Sequence, residues 1–211
     1  MNRRSFSVLA LSATLPPSLV RAQQTPAKPY TPLPFREVQP RPEDRNAALI
    51  FFDFSCPVCA SLHEPLSQWG ATLPRQWRAE FVPVALPNKE SAMAAMAYYA
   101  AARANPGRLV DFMNAAYRRI HRNKQRAGEV ALWEGAARDA GITNFSSGWA
   151  AVHKGQLEEA MRKLLVYGVE ATPSVVIGGR YIVSPDNTNG DTNLFLQLCS
   201  GMVSKSMGFI G

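Results

Sequence analysis

The chain has 211 residues, 46% of them hydrophobic and 18% charged, enough apolar material for a globular core and too much for wholesale disorder. No apolar run reaches the roughly 18 residues of a membrane-spanning helix, and the three cysteines, Cys56, Cys59 and Cys199, are too few for a disulfide-stapled scaffold. Lys and Arg exceed Asp and Glu by seven, 23 against 16; setting aside Arg3, Arg4 and Arg21 of the leader described next leaves +4, a mild excess that does not argue for nucleic acid.

Residues 1–22 read as an export signal. Arg3 and Arg4 form a charged start, Phe6 to Leu15 a short and weakly apolar middle, and Val20-Arg21-Ala22 a cleavage site. Asn2-Arg3-Arg4-Ser5-Phe6 also resembles a twin-arginine signal, so either the twin-arginine or the general secretory route fits. Residues 23–46 carry six prolines, which exclude a helix and favour an extended arm. Within that arm Phe35–Val38 is a candidate edge strand.

Ala47–Phe54 is an apolar run of strand length, near-continuous as in a strand buried on both faces. Ser55-Cys56-Pro57-Val58-Cys59 follows, then a helix to about Trp69, with Pro57 in its first turn and Pro65 expected to kink it. Ala79–Leu86 reads as a second strand, Pro83 marking an edge or a bulge. Residues 89–166 are largely helical, with core faces at Met93, Met96, Ala97 and Ala100 and at Leu109, Phe112, Met113 and Ala116. Glu129–Ala140, Phe145–Val152 and Gln156–Val166 are further helices. The period then changes: Pro173–Ile177 and Arg180–Val183 form a hairpin about Gly178-Gly179, and Asp191–Val203 a terminal helix. The Arg118–Arg126 run reads as a solvated helix end and loop. The class is α/β.

Two cysteines three apart at a strand–helix junction carry a specific chemistry. The first sulfur stands at a helix N-terminus, where unpaired N–H groups and the helix dipole favour thiolate over thiol. The second stands one turn on, close enough to close a disulfide ring. A thiolate attacks a disulfide sulfur through a mixed disulfide, so the pair suits dithiol–disulfide exchange. Other readings remain at this point: a metal site built with His63, an inert disulfide, or a reduced core pair. A closed zinc site needs about four ligands, and Cys199, His121 and His153 are the soft candidates left for it. His63 follows Cys59 by four and reads as a surface or half-buried histidine, and Cys199 as a buried inert thiol. Pro173, at the first residue of a strand, is tolerated there without a functional reason.

Phe51-Phe52-Asp53-Phe54-Ser55-Cys56-Pro57-Val58-Cys59, together with Tyr167–Ser174 and the Val175–Val183 hairpin, resembles the DsbA-like thiol:disulfide oxidoreductases of the thioredoxin fold. The resemblance covers about residues 45–205. It implies a thioredoxin-like fold with an inserted helical domain: thioredoxin-like segments at 47–88 and 167–211, with the insertion between them at 89–166. It also implies Cys56 as nucleophile, Cys59 as resolving cysteine, Pro57 and Val58 as the tuning dipeptide, and Pro173 as a cis-proline facing the pair. The backbone of Thr172 would bind an extended client strand.

Two departures bear on strength. The strongest oxidants of the family carry His where Val58 stands and Val where Thr172 stands, so a weaker oxidant is expected, and a reductase or isomerase remains an alternative. The acid often buried beneath the second cysteine is replaced by Ile50, and Asp53 is expected to cap or bond locally rather than shuttle protons. The resemblance further implies a monomer in the periplasm, acting on cysteine-containing exported proteins, recycled by a DsbB-type quinone-linked membrane partner, with no cofactor and no metal. A non-catalytic peptide-binding chaperone is the alternative from a different class.

Overall fold

The computed structural model describes residues 33–208; the leader and residues 23–32 of the proline-rich arm lie outside the described residues. The remainder of the arm enters as a two-residue strand, β1 (Arg36–Glu37), inside the expected Phe35–Val38. β2 (Ala47–Phe52) is buried at all six positions, as its continuous apolar character predicts. It ends two residues earlier than expected, because the Asp53 side chain folds back onto the Ser55 amide and Phe54 turns away from the sheet.

α1 (Pro57–Ala71) follows at once and passes through Pro65 as one element. β3 (Arg78–Pro83) ends at Pro83 and lies at a sheet edge, where a residue without an N–H breaks no ladder. Then come α2 (Lys89–Ala104), α3 (Leu109–Tyr117), α4 (Val130–Asp139), α5 (Phe145–Ala150) and α6 (Lys154–Tyr167). β4 (Ser174–Ile177), β5 (Tyr181–Val183) and α7 (Thr192–Ser206) complete the described chain.

The sheet order is β1-β5-β4-β2-β3, with β2–β3 parallel and the other pairs antiparallel. Gly178 and Gly179, at φ +61 and +64, supply the left-handed turn between β4 and β5, which residues with a Cβ adopt at a cost. Alternation along β2 divides the core. Ala48 and Ile50 pack with Leu62 and Leu66 of α1 and Phe195 of α7, while Ala47, Leu49 and Phe51 pack with Ala160 and Tyr167 of α6. A third cluster joins the helical block to the β2–α1 loop: Phe54, 2% exposed, lies 5.2 Å from Trp133, 5.0 Å from Tyr117 and 6.4 Å from Phe112, ring to ring. Among the described residues no helix is long and apolar enough to cross a membrane.

Candidate active site

The β2–α1 junction is wound by its own side chains. The Asp53 carboxylate accepts from the Ser55 amide at 2.7 Å, and the Asp53 carbonyl accepts from the Cys56 amide at 3.2 Å. This is the local bonding expected of Asp53. Cys56 is the N-cap of α1 in an extended conformation, and its sulfur accepts from the Cys59 amide at 3.3 Å, the position a Ser or Asp oxygen takes in ordinary caps. Pro57 fills the first helical position, where a missing N–H costs nothing. The sulfur is half-buried, Val58 beside it is 44% exposed, and Cys59 is 1% exposed.

The antiparallel register of β4 on β2, with Ser174 opposite Phe51, brings the start of β4 to the end of β2 from which Cys56 projects. The Thr172–Pro173 peptide bond is cis, and the Thr172 carbonyl accepts from the Cys56 sulfur at 3.2 Å. Cys56, Cys59, Thr172 and Pro173 are thus gathered from segments more than a hundred residues apart. A hollow of about 210 Å³, lined by Asp53, Val84, Leu86, Leu164, Glu170 and Thr172 among others, opens beside them.

Burial pushes the Cys59 thiol up to about 12, and the nearby Cys56 adds to the shift; the Asp53 backbone and the Thr172 hydroxyl pull the other way without cancelling it. Cys59 is therefore a thiol at neutral pH, and Cys56 is the more exposed sulfur of the two. Ile50, the position where the resemblance leads one to look for a buried acid, is wholly buried among Leu62, Leu66 and Val175. Cys199 is wholly buried in that same cluster and its thiol is pushed well above the ordinary range by burial, the inert state expected of it.

His63 corrects the reading of a surface or half-buried histidine. It is 5% exposed, with Nδ1 at 2.9 Å from the Ala60 carbonyl and Nε2 at 2.8 Å from the Asn114 side-chain amide. Both ring nitrogens are engaged, so neither is free to join Cys56 and Cys59 around a metal. The Arg118–Arg126 run is also more than a solvated end. Arg118–Arg122 forms a π-helical turn in which Arg119 reaches Asp139 at 2.9 Å, lying across Gly135 where a Cβ would meet it. His121 of that turn donates from Nε2 to the Phe54 carbonyl at 2.9 Å, two residues before Cys56. Tyr117, His121 and Asn114 carry no sequence sign of a role in thiol chemistry. No spacing marks them; Gly135, a glycine inside a helix, is the one sequence sign that something packs closely there.

The family model described as Thioredoxin matches residues 44–192. The chain is 26% identical over 179 residues to the thiol:disulfide interchange protein DsbA of Bordetella pertussis, covering 79% of this chain and 81% of that one. Among solved structures it is similar to Pseudomonas aeruginosa DsbA (TM-score 0.73, 20% identity, 83% of this chain and 93% of that chain). It is also similar to the oxidoreductase DsbA from Xylella fastidiosa (TM-score 0.68, 22% identity, 82% of this chain and 95% of that chain).

Proposed function

The chain belongs to the thioredoxin family as a DsbA-like thiol:disulfide oxidoreductase, and from that premise we propose that it is a periplasmic oxidase that introduces disulfides into exported proteins through Cys56 and Cys59. The observation that carries this reading is the Cys56 sulfur itself: it caps α1, remains half-exposed and faces the Thr172 carbonyl, with Cys59 buried one turn behind it.

In the oxidised pair a client thiolate attacks Cys56 Sγ. The Cys56–Cys59 bond breaks, its electron pair goes to Cys59, and a client–Cys56 bond forms. A second client thiolate then attacks the client sulfur and Cys56 leaves as thiolate, with the helix N-terminus favouring that charge. The client gains a disulfide and the enzyme keeps two electrons. When a client stalls, Cys59 attacks Cys56 and releases it. Pro57 and Val58 tune the pair, and the Thr172 backbone beside Pro173 holds the client as an extended strand along the neighbouring hollow. A DsbB-type quinone-linked membrane partner takes the two electrons.

This reading keeps residues 1–22 as the export signal, 23–46 as the arm, 47–88 and 167–211 as the thioredoxin-like segments and 89–166 as the helical insertion, in a chain that works as a monomer. Equilibration of Cys56–Cys59 against glutathione tests the direction. A potential well above about −200 mV supports an oxidase, and one near about −270 mV, the thioredoxin value, overturns it. The Thr172 hydroxyl beside Cys59 and the apolar Val58 favour a second reading, a reductase or isomerase, which the same measurement separates.

A further inference from the structure

Residues 53–56 join the end of β2 to the start of α1 as a tight turn. The Cys56 amide donates to the Asp53 carbonyl at 3.2 Å and closes it, so Phe54 and Ser55 are its two central residues. The peptide between them is the one that can rotate while that closing bond stays made. It is held at both ends. Its N–H, on Ser55, donates to the Asp53 carboxylate at 2.7 Å. Its carbonyl, on Phe54, accepts from His121 Nε2 at 2.9 Å, and no other donor reaches that oxygen among the described residues. A carbonyl oxygen only accepts, so Nε2 carries the proton.

The two Asp53 bonds tie the turn to itself, which fixes its shape but not its place in the fold. The helical block supplies that place in two ways. The Phe54 ring packs on Phe112, Tyr117 and Trp133, and apolar packing is non-directional: it settles where the ring lies, not which way the peptide plane points. The His121 bond is directional. The ring that makes it is itself placed with care. It stands in the π-helical turn Arg118–Arg122, where the Asn123 amide donates to the Arg118 carbonyl five residues back at 3.1 Å. It stacks on Tyr117 with centroids 6.0 Å apart, and its neighbour Arg119 is paired with Asp139 of α4 at 2.9 Å. Such turns are rare and occur frequently at functional sites.

We propose that His121 is a positioning residue for the dithiol–disulfide exchange: it fixes the Phe54–Ser55 peptide and, through the next residue of the chain, the Cys56 sulfur at the N-cap of α1. The proposal rests on the role given above to Cys56 as the sulfur that the client attacks. Two demands meet on that sulfur. It accepts from the Cys59 amide at 3.3 Å, the cap that favours its thiolate, and it lies 3.2 Å from the Thr172 carbonyl, beside which the client is held. Both contacts depend on where the turn delivers Cys56, and the entering thiolate must also meet the S–S bond in line. His121 acts on all of this through the backbone and exchanges no proton or electron with the client.

The test compares His121→Leu with His121→Gln in the oxidised full chain, following disulfide opening by reduced glutathione. Both variants lose the stack on Tyr117, but only glutamine brings an N–H that can replace Nε2. The expected result is opening slowed by about tenfold in His121→Leu, within the roughly hundredfold that an ångström of misplacement can cost, and restored to within about twofold of the parent in His121→Gln. Opening of His121→Leu at the parent rate overturns the proposal, and so does an equal loss in both variants, which a merely structural role would give. Should His121→Leu fail to fold, thienylalanine at position 121, a five-membered aromatic ring without an N–H, decides: slower opening supports the proposal and the parent rate overturns it. Cys56→Ser is the separate control. Oxidation of a client dithiol that survives it removes the assignment of the sulfurs themselves, whatever the position 121 variants do.

Discussion

Cys59 provides the sharpest quantitative expectation. Its thiol is displaced from 9.0 to about 12, chiefly by burial. At pH 8 a thiol at 9.0 is about 10% thiolate, whereas one at about 12 is about 0.01%, a deficit of roughly a thousandfold. A more basic thiolate is a better nucleophile. With a Brønsted slope of about 0.45 the three-unit shift returns roughly twentyfold, which leaves Cys59 at least about fiftyfold slower than the same cysteine in the unfolded chain, and its 1% exposure slows the reagent further.

The assay is timed alkylation of reduced Cys56→Ser protein with iodoacetamide, folded and in denaturant, with peptide masses reporting each thiol. The pH dependence carries a sign of its own. The unfolded Cys59 levels off above about pH 9, while the folded one continues to climb tenfold per unit towards about 12. Because the folded chain holds this proton more tightly, stability of the reduced protein is indifferent to the group below about pH 9 and declines as pH rises from there towards about 12. Alkylation of folded Cys59 at the denatured rate, with a bend at pH 9, would refute the desolvation argument and with it the division of labour between the sulfurs.

Three further expectations follow from other contacts. Val58 is 44% exposed, so Val58→His costs no packing; its added donor and charge beside Cys56 should move the glutathione equilibrium about tenfold towards the reduced form, and an unmoved equilibrium constant would show that this position does not tune the pair. A Cβ at Gly148 would fall inside contact distance of the Ala100 carbonyl oxygen, so Gly148→Ala should cost about 1–3 kcal/mol in urea unfolding despite alanine's better helix propensity, and a stabilised variant would contradict the tight α2–α5 approach. Asp44 is 5% exposed and accepts from Arg78 and from the Tyr167 hydroxyl, each at 2.7 Å; Asp44→Ala should cost about 2–3 kcal/mol by leaving Tyr167 unpaired, with thiol exchange unchanged once folded, checked by thermal melts and glutathione turnover.

What was readable before the fold was local. The continuous apolar run of β2, the Cys-Pro-Val-Cys junction, the Gly178-Gly179 turn and the switch of period after Tyr167 each depend on neighbours in the chain, and each appears within a few residues of its expected place. Pro173 was readable only through resemblance, since proline at a strand start looks the same with a cis or a trans bond before it. His63 differs from its expected place for an instructive reason. Four residues after Cys59 is a statement about one face of α1, but whether that face meets water depends on α3, whose Asn114 lies 51 residues away.

The sequence by itself determined that a pair of sulfurs would stand at the start of a helix leaving a buried strand, because strand pattern, cap and first-turn proline are properties of a dozen consecutive residues. The tertiary structure alone decided what meets that junction: the Thr172 carbonyl at the Cys56 sulfur, Tyr117 of α3 against the Phe54 ring, and His121 of the π-helical turn on the Phe54 carbonyl. Those neighbours are chosen by how faces pack and by which register closes the sheet. Charge and hydrogen bonding at a buried sulfur follow from that packing rather than from any spacing along the chain.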